Sequence, residues 1–215
     1  MYTLIYILKA IYVYIKSLTN KDTMVDIKKL IQDKIDDKTN KYLESIGYYT
    51  APASSSRHLC MPGGLAVHSY NMYLALCDLN DTYDLELTED EMIKIGLLHD
   101  VCKCDGYVEN ILTSGKVSEA KPYKVNDTLP IGHGDKSVIM LLKAGIELSD
   151  REIIAIRYHM GSFTYADSQQ WSIANNMITK AGYWELCMAT HIADMIASQL
   201  LEGKSNLYTK LYKHL

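Results

Sequence analysis

Apolar residues recur at helical spacing along nearly the whole chain from Met24 onward. Side chains three and four residues apart share one face of an α-helix, whereas the side chains of a strand alternate between two faces. No strand pattern and no internal repeat stands out. The length of 215 residues fits one ordinary domain. The sequence therefore predicts an all-α fold, a single helical bundle around one core over residues 24–215.

Local signals mark where several helices begin. The Pro-Gly-Gly run at 62–64 precedes a helix whose buried stripe is predicted to contain His68. Capping boxes, in which a hydroxyl residue stands three positions before a glutamate, are formed by Thr88 with Glu91 and by Ser149 with Glu152. Further helices are expected from about residue 135 to 144 and from about 183 to 201.

Composition and charge exclude several classes of protein. Hydrophobic residues make up 48% of the chain and charged residues 22%, which excludes a disordered or low-complexity protein. The net charge of -4 argues against binding to long duplex nucleic acid. Five cysteines follow no disulfide framework, and the CxC pair Cys102 and Cys104 lacks the second pair of a zinc knuckle. We therefore expect a cytoplasmic protein.

The first 23 residues form an apolar extension with Lys9 in its middle. Its apolar run of about 14 residues is shorter than the roughly 20 that a membrane span needs. The extension could be an anchoring helix, an extra helix on the core, or translated sequence upstream of a true start at Met24. We favour the last interpretation, and association with a membrane is expected only if residues 1–23 belong to the protein.

The connection from Asp105 to Gly132 shows little periodicity and is long for a loop without secondary structure. This length is typical of a functional lid. Its lysines, Lys116, Lys121 and Lys124, either form a solvated surface or steer an anionic substrate.

Two aspartates are predicted to be buried without a local basic partner. Asp100 lies in GLLHDVCK, and Asp194 lies in HIADMIA with no Lys or Arg within four residues. An unpaired buried carboxylate costs several kcal/mol, so such groups are usually paired or bound to metal. Histidines from separate segments are available beside them: His68, His99, His133 and His159. These residue types suit one or two divalent ions, Mn, Fe, Co, Ni or Mg.

The order of these motifs resembles that of the HD-domain metal-dependent phosphohydrolases. GGLAVHS, LLHDVCK and HIADMIAS match the early His, the HD pair and the late Asp of that family, and IGHGDKS and IRYHMG match its additional histidines. Residues 51–69, APASSSRHLCMPGGLAVHS, are most similar to the HD domain of bacterial 3'-to-5' exoribonucleases and to short phage-type HD proteins. Residues 1–50 are too short and too helical to be the oligonucleotide-binding domain of those exoribonucleases, which argues against polymeric RNA.

The resemblance implies two sets of metal ligands. The first ion would be bound by His68, His99, Asp100 and Asp194. Asp100 would bridge to a second ion bound by His133 and His159. The implied reaction is hydrolysis of a phosphoester by a metal-activated water.

The substrate implied by the resemblance is a small phosphorylated molecule, a nucleotide or a short oligonucleotide. Asp100 and Lys103 are the expected catalytic residues, since Lys103 follows Asp100 by three positions and can reach a phosphate oxygen. Arg57 and His58 are expected to bind the same phosphate. His191 is expected to support a ligand rather than to be one, and His214 to be solvated.

Two other functions are compatible with the residues. The chain could be a nucleotide-sensing module that keeps the metal ligands without turnover, or a structural domain without metal. A phosphate-binding loop at IGHGDKS is rejected, because Asp135 separates its Gly from its Lys and no strand precedes it.

Overall fold

The computed structural model describes residues 21–165 and 167–202. Its α-helices are α1 (Lys21–Gln32), α2 (Asp37–Ser45), α3 (Gly64–Tyr83), α4 (Glu89–Leu98), α5 (Lys103–Gly106), α6 (His133–Lys143), α7 (Asp150–Tyr158), α8 (Ser168–Lys180) and α9 (Trp184–Met195). A 3₁₀ turn covers Gly161–Thr164, and a π-helical turn covers Ile196–Leu201. The predicted all-α bundle is confirmed for this part of the chain.

Helix α3 is the central element, and it contacts α1, α4, α9 and the π-turn. Every residue from Gly64 to Cys77 is buried, so this helix has no solvent face over most of its length. Its start depends on glycine: Gly63 has a φ of 78°, and a Cβ on Gly64 would lie 2.0 Å from the Leu59 carbonyl oxygen. The Pro-Gly-Gly signal therefore predicted the start of α3 correctly.

Both predicted capping boxes are present, at the starts of α4 and α7. The helix expected from about residue 135 begins at His133, and the last predicted helix changes from α to π geometry at Ile196. Helix α8 was not predicted. It buries only Ala174 and Ile178, although Trp171, Ala174 and Ile178 stand at helical spacing and could have indicated it.

The connection from residue 105 to 132 contains strands that the sequence analysis did not predict. Strand β1 (Tyr107–Glu109) pairs antiparallel with β2 (Tyr123–Val125), and an isolated bridge joins Ile111 to Val117. Strands of three residues are too short to show an alternating pattern. The three lysines of this connection, Lys116, Lys121 and Lys124, are exposed, and their role in steering a substrate stays a prediction.

Two groups of buried apolar side chains support the site. One joins α1 and α2 to the first part of α3 and includes Ile31, Leu43 and Leu65. The other lies between α3, α4 and α9 and includes Met72 and Ala193. Within residues 21–165 and 167–202, no helix is both long and apolar enough to cross a membrane.

Two sequence predictions concern residues outside the described part. The extension proposed for residues 1–23 lies there except for its last three residues, which begin α1, and His214 lies there entirely.

Candidate metal centre

Five side chains from four separate segments meet in the interior. His68 is on α3, His99 and Asp100 follow α4, His159 follows α7, and Asp194 is in the last turn of α9. All five are buried, with exposures between 0% and 9%. The sequence predicted these residues as ligands, and the fold brings them together.

Their ligand atoms lie at distances that suit a shared ion. Nε2 of His68 is 3.2 Å from Asp194 Oδ1 and 3.5 Å from Asp100 Oδ2. Nε2 of His99 is 3.3 Å from Nε2 of His68 and 3.2 Å from Asp100 Oδ2. Atoms bound to one ion at about 2.1 Å are roughly 3.0 to 3.4 Å apart in octahedral or tetrahedral geometry.

In His99 and His159, the hydrogen bond made by Nδ1 determines whether Nε2, the nitrogen that faces the cluster, carries a proton. Nδ1 of His99 is 3.0 Å from the Gly96 carbonyl oxygen, and Nδ1 of His159 is 2.8 Å from the Ile156 carbonyl oxygen. A carbonyl oxygen only accepts, so Nδ1 must donate its proton in both residues. In the neutral imidazoles, Nε2 then carries a lone pair that points into the cluster.

Two buried atoms in the cluster have no hydrogen-bond partner among the described residues: Asp100 Oδ1 and His159 Nε2. They lie 3.5 Å apart. A buried acceptor without a partner costs about 1 to 3 kcal/mol, and more when it is charged. Since both atoms are acceptors when Asp100 is ionised and His159 is neutral, a cation between them would satisfy both. The donor set therefore fits a divalent ion.

The electrostatics of the cluster favour ionised carboxylates. Burial opposes the charge on Asp100, but the Lys103 ammonium and His99 outweigh it and hold the pKa of Asp100 well below its usual range. Burial also opposes the charge on Asp194, yet the His68 ring, whose Nε2 lies 3.2 Å away, keeps the pKa of that carboxyl low. Both aspartates are therefore available as anionic ligands at neutral pH.

His133 lies apart from His159. It begins α6 and is exposed, and its ligand atom groups with those of Asp100 and Cys102 within 4.8 Å. His159 groups instead with His99 and Asp100. In the described residues, no such group contains both His133 and His159. Cys102, which the sequence shows only as part of a CxC pair, lies beside His133, and no local signal predicts that position.

A cavity of about 410 Å³ opens onto the cluster. Asp100 and Asp194 lie in its wall, together with the expected phosphate-binding residues Lys103, Arg57 and His58. Apolar side chains, Met160, Phe163 and Met195, also line the cavity. The lining therefore combines cationic and apolar groups that could contact one small molecule.

His191 does not belong to the ligand groups of the described residues. Its Nδ1 donates to the carbonyl oxygen of His159 at 2.7 Å, and its side chain lines the cavity. Gly161 permits this approach, because a Cβ there would lie 3.1 Å from the His191 ring. His191 therefore contacts the backbone of a proposed ligand, as the sequence analysis expected.

Glu202 is a site residue that the sequence analysis missed. Its side chain is buried and accepts from Asn71 Nδ2 at 2.9 Å and from His68 Nδ1 at 3.0 Å. The segment around it, QLLEGKSN, gives no sign of burial, because a glutamate beside Gly and Lys is typical of an exposed helix end.

No protein-family model matches this chain, and neither a curated protein nor a solved structure gives a significant match. Its chemistry must therefore be inferred from the cluster and the cavity. The features available for that inference are the converging imidazoles, the ionised aspartates and the buried lysine beside them.

Proposed function

We propose that this chain is a divalent-metal-dependent phosphohydrolase of the HD superfamily, acting on a nucleotide or a short oligonucleotide. The observation that carries the proposal is the convergence of inward-facing Nε2 atoms on two buried aspartates. Two buried carboxylates need positive charge beside them, and Lys103 supplies it directly only to Asp100. The match of the motifs to the HD family, in chain order, supports the reaction type.

The first ion would be held by His68, His99, Asp100 and Asp194. Mixed nitrogen and oxygen ligands suit Mn, Fe, Co or Ni, and Mg is compatible with the carboxylates. A bound divalent ion supplies Lewis acidity, which lowers the pKa of water and polarises a phosphoryl oxygen. A second ion, which the resemblance assigns to Asp100, His133 and His159, would need Asp100 to join two groups: the one that it forms with His133 and Cys102, and the one that it forms with His99 and His159.

Lys103 would neutralise charge on the phosphate. Its ammonium is 2.6 Å from Asp100 Oδ2 and its side chain lines the cavity, so a phosphate bound there lies within reach. Burial opposes the charge on Lys103, but Asp100 outweighs this effect and raises the pKa of the lysine, which keeps it cationic at neutral pH. Arg57 and His58, in the same cavity wall, would bind further phosphate oxygens.

The substrate would be small. A cavity of about 410 Å³ is in the range of sites for small molecules and cofactors. The net charge of -4 does not favour long duplex nucleic acid. The five free thiols suit the reducing cytoplasm, which we propose as the compartment.

A hydrolysis screen tests the proposal. Protein purified without oxygen and supplied with Mn²⁺, Fe²⁺ or Mg²⁺ is incubated with nucleoside mono-, di- and triphosphates, short RNA and nitrophenyl phosphate esters. We expect hydrolysis of at least one phosphoester and a loss of about 10³-fold or more in Asp100→Ala. The control is Asp81→Ala, which removes an exposed carboxylate from α3.

Two outcomes would contradict the proposal. An unchanged rate in Asp100→Ala would exclude this cluster as the reaction site. Metal-loaded protein that binds nucleotides and leaves them intact after long incubation would instead identify the nucleotide-sensing module.

A further inference from the structure

Glu202 stands on the far side of His68 from the cluster. Its carboxylate oxygens lie 3.0 and 3.3 Å from His68 Nδ1, and one of them also accepts from Asn71 Nδ2 at 2.9 Å. The glutamate is 4% exposed, so water does not compete for these hydrogen bonds. Asn71 follows His68 by one turn of α3, which means that the carboxylate is held against a single helix face.

The π-turn allows two carboxylates to reach opposite edges of one ring. Asp194, just before the turn, lies 3.2 Å from His68 Nε2, and Glu202, just after it, lies 3.0 Å from Nδ1. The Glu202 amide donates to the Ala197 carbonyl oxygen at 3.0 Å, and the Ser198 hydroxyl donates to the Asp194 carbonyl oxygen at 2.9 Å. Single π-turns of this kind are frequent at functional sites.

We propose that Glu202 is a positioning residue for the metal centre: it accepts the Nδ1 proton of His68 and thereby directs the Nε2 lone pair of that ring towards the ion. The inference rests on the metal site of the proposed function and not on the hydrolysis. His68 differs here from His99 and His159, whose Nδ1 atoms donate to backbone carbonyls. An ionised acceptor makes an imidazole a stronger ligand than a carbonyl does.

Within residues 21–165 and 167–202, the side-chain hydrogen bonds of the Glu202 carboxylate come from His68 and Asn71. Nε2 of His58 lies 4.0 Å from the carboxylate, beyond a hydrogen bond. The His58 ring packs against the His68 ring, with centroids 5.1 Å apart. The main contact of Glu202 is therefore its hydrogen bond with His68 Nδ1. The ligand atoms of Glu202, His68 and His58 also lie within 4.8 Å of one another.

Titration with Co²⁺ alone tests the inference, without a substrate. The dissociation constant of Co²⁺ and the visible spectrum of the bound ion are measured for the wild type, Glu202→Gln, Glu202→Ala and the exposed control Glu185→Gln. We expect affinity to fall about 10- to 100-fold in Glu202→Ala and less in Glu202→Gln, which keeps one acceptor oxygen. The number of ions bound should not change, and Glu185→Gln should match the wild type.

Nitrogen NMR of the histidine rings gives a second measurement on the folded protein. With a diamagnetic ion such as Mg²⁺, the wild type should show a His68 proton on Nδ1, and Glu202→Gln should weaken that signal or shift the tautomer. Thermal unfolding of the metal-free variants shows whether they fold. If Glu202→Ala does not fold, Glu202→Gln, which preserves the side-chain volume, still tests the inference.

Three results would overturn the inference. Wild-type Co²⁺ affinity in folded Glu202→Gln and Glu202→Ala would show that Glu202 does not act on the site. Loss of one whole equivalent of Co²⁺ would show that Glu202 is itself a ligand. Absence of Co²⁺ binding in the wild type would overturn the proposed metal site as well. This outcome is distinguishable from a failure of the Glu202 inference alone, because in that case the wild type still binds Co²⁺.

Discussion

The Lys103 ammonium lies 2.6 Å from Asp100 Oδ2, in the wall of the cavity. The lysine is 9% exposed and follows the aspartate by three residues. This ion pair keeps a positive charge beside the proposed metal centre without making Lys103 a ligand. A phosphate that enters the cavity would meet that charge, and Asp100 would remain neutralised by the metal.

Replacing Lys103 by Ala should therefore separate catalysis from metal binding. We expect the kcat to fall about 10²- to 10³-fold, as for the loss of one charge that stabilises a transition state, while metal content stays near the wild-type value. Steady-state kinetics and elemental analysis measure the two effects. Lys124→Ala is the matched control, because Lys124 is exposed on β2. Equal kcat values in the two variants would refute the role of Lys103.

Lys136, on α6, binds the chain just before β1 and just after β2. Its ammonium lies 2.5 Å from Asp105 Oδ1 and 2.6 Å from Asp127 Oδ1, and its side chain is buried. In Lys136→Met we expect a loss of about 2 kcal/mol in the free energy of unfolding, because charged hydrogen bonds disappear. Trypsin should also cleave the connection faster.

The control for this prediction is Lys143→Met, an exposed lysine on the same helix. Urea unfolding and the time course of trypsin digestion are compared for the two variants. If cleavage within residues 107–131 is as slow in Lys136→Met as in the control, the lysine does not anchor the connection.

Gly96 sets the distance between α3 and α4. A Cβ at this position would lie 2.6 Å from the Cα of Tyr73, and the Gly96 carbonyl oxygen accepts from His99 Nδ1. We expect Gly96→Ala to destabilise the protein by about 1 to 3 kcal/mol through overpacking, and to weaken Co²⁺ binding by moving His99. Gly106→Ala is the control, since no atom lies within 4 Å of its added Cβ. Equal unfolding curves for the two variants would contradict the close packing.

Asp78 should make stability depend on pH in an unusual direction. Burial, with a smaller contribution from Asp81, raises the pKa of Asp78 from 3.8 to about 6, and its Oδ1 has no hydrogen-bond partner in the described residues. Because the folded state favours the protonated carboxyl, the contribution of Asp78 to stability is present below pH 4 and is lost as the pH rises through about 6.

Asp78→Asn should consequently be more stable than the wild type at pH 7.5 and similar to it near pH 4. After allowance for partial solvent screening, the gain at the higher pH is about 1 kcal/mol. Urea unfolding at both pH values measures it, with the exposed Glu119→Gln as the control. A gain of the same size at both pH values would show that the charge of Asp78 is not the cause.

The sequence predicted the features that depend on local chemistry. Both capping boxes and the glycine-dependent start of α3 need only a few adjacent residues, so they could be recognised without the fold. The burial of the five proposed ligand residues could also be predicted, because a carboxylate in an apolar helix needs a partner wherever the helices pack. The prediction that Asp100 has no local basic partner is wrong, since Lys103 lies 2.6 Å from it.

What the sequence did not predict depends on contacts between distant segments. Glu202 and His68 are 134 positions apart, and nothing near Glu202 marks it as buried. The neighbours of His133 are set by the position of α6, which brings it to Cys102 rather than to His159. The short strands are held by tertiary packing, so their own residues carry little signal, whereas Trp171, Ala174 and Ile178 of α8 stand at a helical spacing that the sequence does show.

The most direct test of the metal centre is a crystal structure of the protein soaked in Mn²⁺, with anomalous scattering to locate the ion. The account predicts an anomalous peak about 2.0 to 2.3 Å from Nε2 of His68 and His99 and from carboxylate oxygens of Asp100 and Asp194. A map without a peak among these four residues, in crystals whose protein is otherwise folded as described, would contradict it.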